Sequence, residues 1–147
     1  MTLAGSIALP DGTPVRGRSR RSPLPAGPVP DVAVHCADAR RPDDADAAAW
    51  PLLRIDWPDF RVPRDPAAAR ATLVEALTRA RAGERVEVTC TGGRGRTGTA
   101  LACLAVLAGH PADEAVAWVR RTYHPRAVET PWQRRFVRRF EPLRPGS

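Results

Sequence analysis

The chain contains no lysine and no asparagine, and all 23 of its basic residues are arginine. A Walker A phosphate loop, a Schiff-base enzyme and a Ser-Lys dyad each need a lysine, so these three chemistries are excluded at once. Cysteine is scarce as well. Cys36, Cys90 and Cys103 are an odd number at irregular spacing, in a chain of 147 residues that has no need of disulfide staples. That usage fits reduced thiols and a cytoplasmic location. Long apolar runs are also missing: the longest, Ala100 to Ala108, is roughly half the ~20 residues of a membrane span. Met1 to Pro10 lacks the basic n-region of a secretory signal. A soluble intracellular protein without a membrane span is the expectation.

What is abundant is small or basic. Alanine occurs 25 times, proline 16 and glycine 11, and the net charge is +7 with a pI of about 11.0. This is the signature of GC-rich codon usage, which inflates arginine and weakens the positive charge as a sign of nucleic-acid binding. Nucleic acid is therefore not the expected partner. The run Arg134, Arg135, Arg138 and Arg139 falls on one face of a helix and is read as a solvated face. The length suits a single domain over residues 1–147.

Residues 1–30 are rich in proline, glycine and arginine, with a turn at Pro10-Asp11-Gly12, and fit a hairpin or extended segment at a sheet edge. Strands are predicted from Val32, over Leu52 to Ile55 and over Arg85 to Val88. Asp38 to Ala49 reads as loop or short helix. Asp65-Pro66 is a helix start and Gly83 a stop, with Leu73, Val74 and Leu77 facing a core. Further helices are expected over Thr99 to Ala108, Ala112 to Tyr123 and Pro131 to Phe140. The order implies an α/β fold with a mostly parallel sheet of about four or five strands flanked by helices, and sites at the C-terminal strand ends.

Residues 89 to 99 read Thr-Cys-Thr-Gly-Gly-Arg-Gly-Arg-Thr-Gly-Thr. Gly93, Gly95 and Gly98 satisfy the dinucleotide pattern GxGxxG, but the chain after the next helix is again helical, so the strand that would offer an acid to a ribose is missing. The alternative is Cys90-x5-Arg96 followed by Thr97. Such a loop can turn successive amides inward, in front of a helix N-terminus, to cradle a tetrahedral anion. Thr91, Gly92, Gly93, Arg94 and Gly95 would contact the oxygens, with Cys90 at the floor as nucleophile. Arg96 can clamp two equatorial oxygens with its planar fork, and Thr97 can donate to the sulfur.

This segment resembles the signature loop of the cysteine-dependent protein tyrosine and dual-specificity phosphatases. Trp57-Pro58-Asp59-Phe60 with Val62-Pro63 is similar to the acid loop of the same family, and Asp59 lies 31 positions before Cys90. The resemblance implies a protein tyrosine phosphatase-like domain, best matched over residues 50–140, in which Asp59 protonates the leaving oxygen and then acts as base on water. Asp56 is the rival acid. Glu129-Thr130-Pro131-Trp132-Gln133 resembles a third segment that packs near the pocket; Gln133 is taken from it as substrate-binding, and Glu129 is left without a role.

Two departures bear on activity. Thr89 stands where the family usually has a histidine, so no positive charge precedes the nucleophile, and a catalytically weak phosphate-binding relative is an open alternative. Arg94 either faces solvent or biases the pocket towards inositol phosphates and other small polyanions. Cys36 is either an inert strand-end cysteine or a partner for an oxidised Cys90, and Cys103 reads as core. His110 and His124 lack metal-ligand spacing with the cysteines, so neither metal nor cofactor is expected. The partners implied are a phosphorylated protein or small molecule.

Overall fold

Valine-rich segments form the centre of the sheet. In the computed structural model, which describes residues 1–41 and 49–144, the elements are β1 (Ile7–Ala8), β2 (Pro14–Ser19), β3 (Val32–Ala37), β4 (Leu52–Asp56), α1 (Pro66–Arg81), β5 (Val86–Cys90), α2 (Gly95–Leu107), α3 (Ala115–Thr122) and α4 (Pro131–Arg138). Every residue of β3 and β5 is buried, as befits strands covered on both faces. The strands run in the order β1-β2-β5-β3-β4. Among the described residues only β1 against β2 is antiparallel; β2–β5, β5–β3 and β3–β4 are parallel. The expected α/β fold with a mostly parallel sheet is the fold observed.

Alternation along β5 divides its side chains between the two faces. Val86, Val88 and Cys90 join the hydrophobic core. Glu87 points the other way and is wholly buried, with Arg16 Nε at 2.6 Å and Arg18 Nε at 2.9 Å. A buried carboxylate is tolerated there because both arginines saturate it.

The α2 helix is the hub on the core side. All of its residues are buried, and α1, α3 and α4 each pack against it. It starts at Gly95, four residues before the expected Thr99, because the glycine-rich turn itself winds the first helical turn. Conversely α3 starts at Ala115, three residues later than expected, after turns beginning at Pro111. Asp65 caps α1 by accepting from Ala68 N at 3.0 Å, with Pro66 at the first helical position. Of the expected loop or helix over Asp38 to Ala49, residues 42–48 lie outside the described residues. No helix among the described residues is long and apolar enough to cross a membrane.

Candidate active site

Cys90 ends β5 and is 2 % exposed. The chain then turns so that Gly93 N donates to Cys90 Sγ at 3.1 Å. Gly93 has φ +72°, and a Cβ there would lie 2.6 Å from Ser19 N, so both conformation and space require glycine. The outer side of this cradle is tied down from neighbouring elements. Ser19 Oγ donates to the Thr91 carbonyl at 2.7 Å, and Tyr123 Oη, at the end of α3, donates to the Gly93 carbonyl at 2.6 Å. Burial, reinforced by the nearby charges of Cys90 and Glu87, holds the Tyr123 phenol well above its ordinary range, which keeps it a donor.

Arg96 sits in the first turn of α2 and is almost wholly buried. One terminal nitrogen donates to the Trp57 carbonyl at 3.0 Å, and Nε lies 3.6 Å from Asp59 Oδ1. The arginine of the cradle is thereby joined to the acid loop, residues 57–64. Thr97 is also buried, and its hydroxyl has no hydrogen-bond partner among the described residues.

The acid loop is closed on itself. Trp57 Nε1, inside the core, donates to the Arg61 carbonyl at 2.7 Å, and Arg61 N donates to the Pro58 carbonyl at 3.1 Å. Phe60 N donates to Asp59 Oδ1 at 3.0 Å. Phe60 has φ +62°, a left-handed conformation that costs a non-glycine residue about 1–2 kcal/mol. The Asp59 side chain remains 58 % exposed at the mouth of the site.

A cavity of about 350 Å³ opens above Cys90. Of the residues expected at the site, Asp59, Cys90, Thr91, Gly92, Arg94 and Gly95 line it. Gly93 and Arg96 meet the site through Cys90 Sγ and Asp59 Oδ1 respectively. Ser19, Arg21, Phe60 and Glu129 line the cavity as well. No sequence pattern singles out Ser19 or Arg21; the only signal is that β2 runs parallel to β5 with Ser19 level with Cys90. Glu129 packs so close to Gly95 that a Cβ on residue 95 would lie 2.3 Å from its carboxylate.

Gln133 is placed differently from the expectation. It is wholly buried and outside the cavity lining. Its Oε1 accepts from Glu129 N at 2.9 Å and its Nε2 donates to the Arg61 carbonyl at 2.9 Å, so its amide serves the α4 cap and the acid loop. Asp56, the rival acid, is also away from the cavity: it accepts from Arg64 and from Ala39 N at 2.9 Å. Arg64 also bonds Asp38 at 2.7 Å and holds that carboxyl below its ordinary range.

The other cysteines differ in position. His35 pairs with Thr89 across β3 and β5, and the buried Cys36 and Cys90 are the next residues on the two strands. Cys103 lies within α2, where burial pushes its thiol far up and keeps it protonated. A larger cavity of about 460 Å³ opens at the other end of the sheet, where Asp11 and Arg81 pair with each other and no cysteine is present.

Comparison with known proteins bears on the fold and the family. No curated protein matches the chain. Among solved structures, Tk-PTP in its active form superposes with a TM-score of 0.65 at 27 % identity, over 76 % of this chain and 78 % of that one. Kinase associated phosphatase superposes with a TM-score of 0.60 at 17 % identity, over 74 % and 66 % of the two chains. PTPMT1 in complex with PI(5)P gives 0.56 at 18 % identity over 76 % of each. The family described as "PTP-SAK: Swiss Army Knife protein, DSP-PTPase phosphatase domain" matches residues 58–139, which hold the cradle, nearly all of the acid loop and α4. With more than half of its length matched, the chain belongs to this family of phosphatase domains.

Proposed function

We propose that the protein hydrolyses phosphate monoesters through a phosphocysteine intermediate, with phosphotyrosine and phosphoserine or phosphothreonine esters as substrates. The Cys90 thiolate attacks phosphorus, and the P–O bond to the leaving group breaks as Asp59 gives that oxygen its proton. Asp59, now a carboxylate, removes a proton from water as the water attacks the phosphocysteine. Phosphate departs and the Cys90 thiolate returns. Arg96 and the amides from Thr91 to Arg96 hold the equatorial oxygens, more tightly in the transition state than in the ground state. Thr97, whose buried hydroxyl is unengaged among the described residues, is the donor assigned to the departing sulfur.

The observation that carries this reading is the meeting of three groups from two separate segments of the chain: Cys90 and Asp59 line one cavity, and Asp59 stands 3.6 Å from Arg96. The test is hydrolysis of an aryl phosphate in the presence of a chelator. Wild type is expected to turn over and Cys90→Ser to be inactive. An inactive wild type that still binds phosphorylated ligands would make the protein a phosphate-binding relative, and an active serine variant would remove the mechanism.

A second substrate reading draws on the rim. Arg21 and Arg94 both line the cavity, and neither makes an ion pair among the described residues. Two uncommitted guanidinium groups beside a phosphate cradle suit a small substrate with further anionic groups, such as an inositol polyphosphate. Phosphopeptides assayed beside inositol phosphates separate the two readings: on the small-molecule reading, Arg21→Ala raises KM for the polyphosphate and leaves KM for the peptide unchanged.

A further inference from the structure

Trp132 occupies the second position of α4 and is 48 % exposed, so burial does not account for an indole there. Its Nε1 donates to the Phe60 carbonyl. The next residue, Gln133, donates to the next carbonyl, that of Arg61. Two consecutive side chains of α4 thus hold the two consecutive carbonyls that follow Asp59. Trp132 also lies under the Arg61 guanidinium, 6.0 Å from the ring centroid.

This clamp has a firm base. Thr130 caps α4 and forms a reciprocal capping box with Gln133, so the amide that grips Arg61 is itself held through its oxygen. The α4 helix in turn packs on α2, whose first turn carries Arg96. One rigid path therefore runs from Arg96 through two helices to the peptide after Asp59. The held segment includes Phe60, whose left-handed conformation needs outside support to persist.

We propose that Trp132 and Gln133 are positioning residues for the general acid: by fixing the Phe60 and Arg61 carbonyls they keep Asp59 over the cradle, ready to donate its proton. This rests on the phosphatase mechanism above and adds a prediction which that mechanism does not make. Neither side chain is among those that line the cavity above Cys90. Their contribution scales with the need for a proton, so it is large when the leaving oxygen is basic and small when it leaves readily as an anion.

The test is a leaving-group series, from nitrophenyl phosphate to phenyl and alkyl phosphates, measured for wild type, Trp132→Phe, Asp59→Asn, the double variant and Cys90→Ser. Trp132→Phe keeps an aromatic ring at this position, removes the N–H donor along with part of the indole, and lies at a residue exposed enough to leave folding intact. The expected result is a loss of about tenfold or more on alkyl phosphate and less than about threefold on nitrophenyl phosphate, within the range a general acid supplies. Asp59→Asn should show the same slope more steeply, and the double variant should add nothing to it. Equal losses across the series, no loss, or an additive double variant would overturn the clamp while leaving the mechanism standing, provided Asp59→Asn keeps its slope. If Asp59→Asn has no slope either, the acid assignment fails and the clamp with it.

Discussion

The cradle and the acid loop meet at one cavity but are built in opposite ways. Cys90 and Arg96 are each 2 % exposed, and the seven residues that carry them are contiguous, folded by their own glycines and by the start of α2. Asp59 is 58 % exposed on a loop held by side chains from α4, more than seventy positions away in sequence. On the proposed mechanism this divides binding from proton transfer. The groups that would hold the phosphoryl oxygens are buried, while the group that would reach a leaving oxygen and then a water is open to solvent.

Substitutions on the two sides should therefore fail differently. The largest effect belongs to Cys90→Ser, which should lower turnover by about a thousandfold or more on every leaving group, because the covalent step itself is lost. Asp59→Asn should lower alkyl phosphate turnover by about 10²–10⁴-fold, with a much smaller effect on nitrophenyl phosphate. If the two variants gave parallel losses across the series, the division between cradle and acid loop would be broken. Gly93→Ala forces a Cβ against the Ser19 backbone at a left-handed residue, and should destabilise the protein by more than about 1 kcal/mol, seen as a lower Tm together with loss of activity on all substrates. Gly95→Ala presses on the carboxylate end of the Glu129 side chain, which can move, and meets Gln133 Oε1 at an ordinary 3.4 Å, so it should be the milder of the two glycine variants.

Tyr123→Phe should give the smallest effect. It removes one hydrogen bond to the cradle, a loss of about 1 kcal/mol, and should lower activity about equally on all leaving groups. It also has a pH signature. Because the phenol is held above its ordinary range, the folded state keeps it neutral where the unfolded chain ionises it. Its stabilising contribution is therefore fully present below the ordinary tyrosine pKa of about 10 and declines as pH rises above it. Denaturant titrations at alkaline pH should show a decline in wild type that is reduced in Tyr123→Phe.

Much of this fold and half of this site could be read from the residues alone, for a physical reason. Alternating apolar residues such as Val86 and Val88, the Asp65-Pro66 start of α1 and the Cys90-x5-Arg96 spacing are local patterns, and their geometry follows from neighbours in sequence. The start of α2 is not legible in this way, because a glycine-rich stretch signals a turn, whereas here the buried first turn of the helix is made from it. The substrate-binding role of Gln133 rests on the resemblance of residues 129–133 to a family segment near the pocket, which does not say where the side chain's two ends go. Only the packing of α4 shows both ends of the amide already used. Ser19 and Arg21 reach the cavity solely because β2 pairs in parallel with β5, a relation across some seventy residues that no local pattern encodes.

The central claim is that phosphate passes through a covalent bond to Cys90. Its most direct test is acid quenching of the enzyme during turnover of a radiolabelled aryl phosphate, followed by mapping of the labelled peptide. Label is expected on the peptide that contains Cys90 in wild type and none in Cys90→Ser. Steady turnover with no labelled enzyme, or label on another residue, would contradict it.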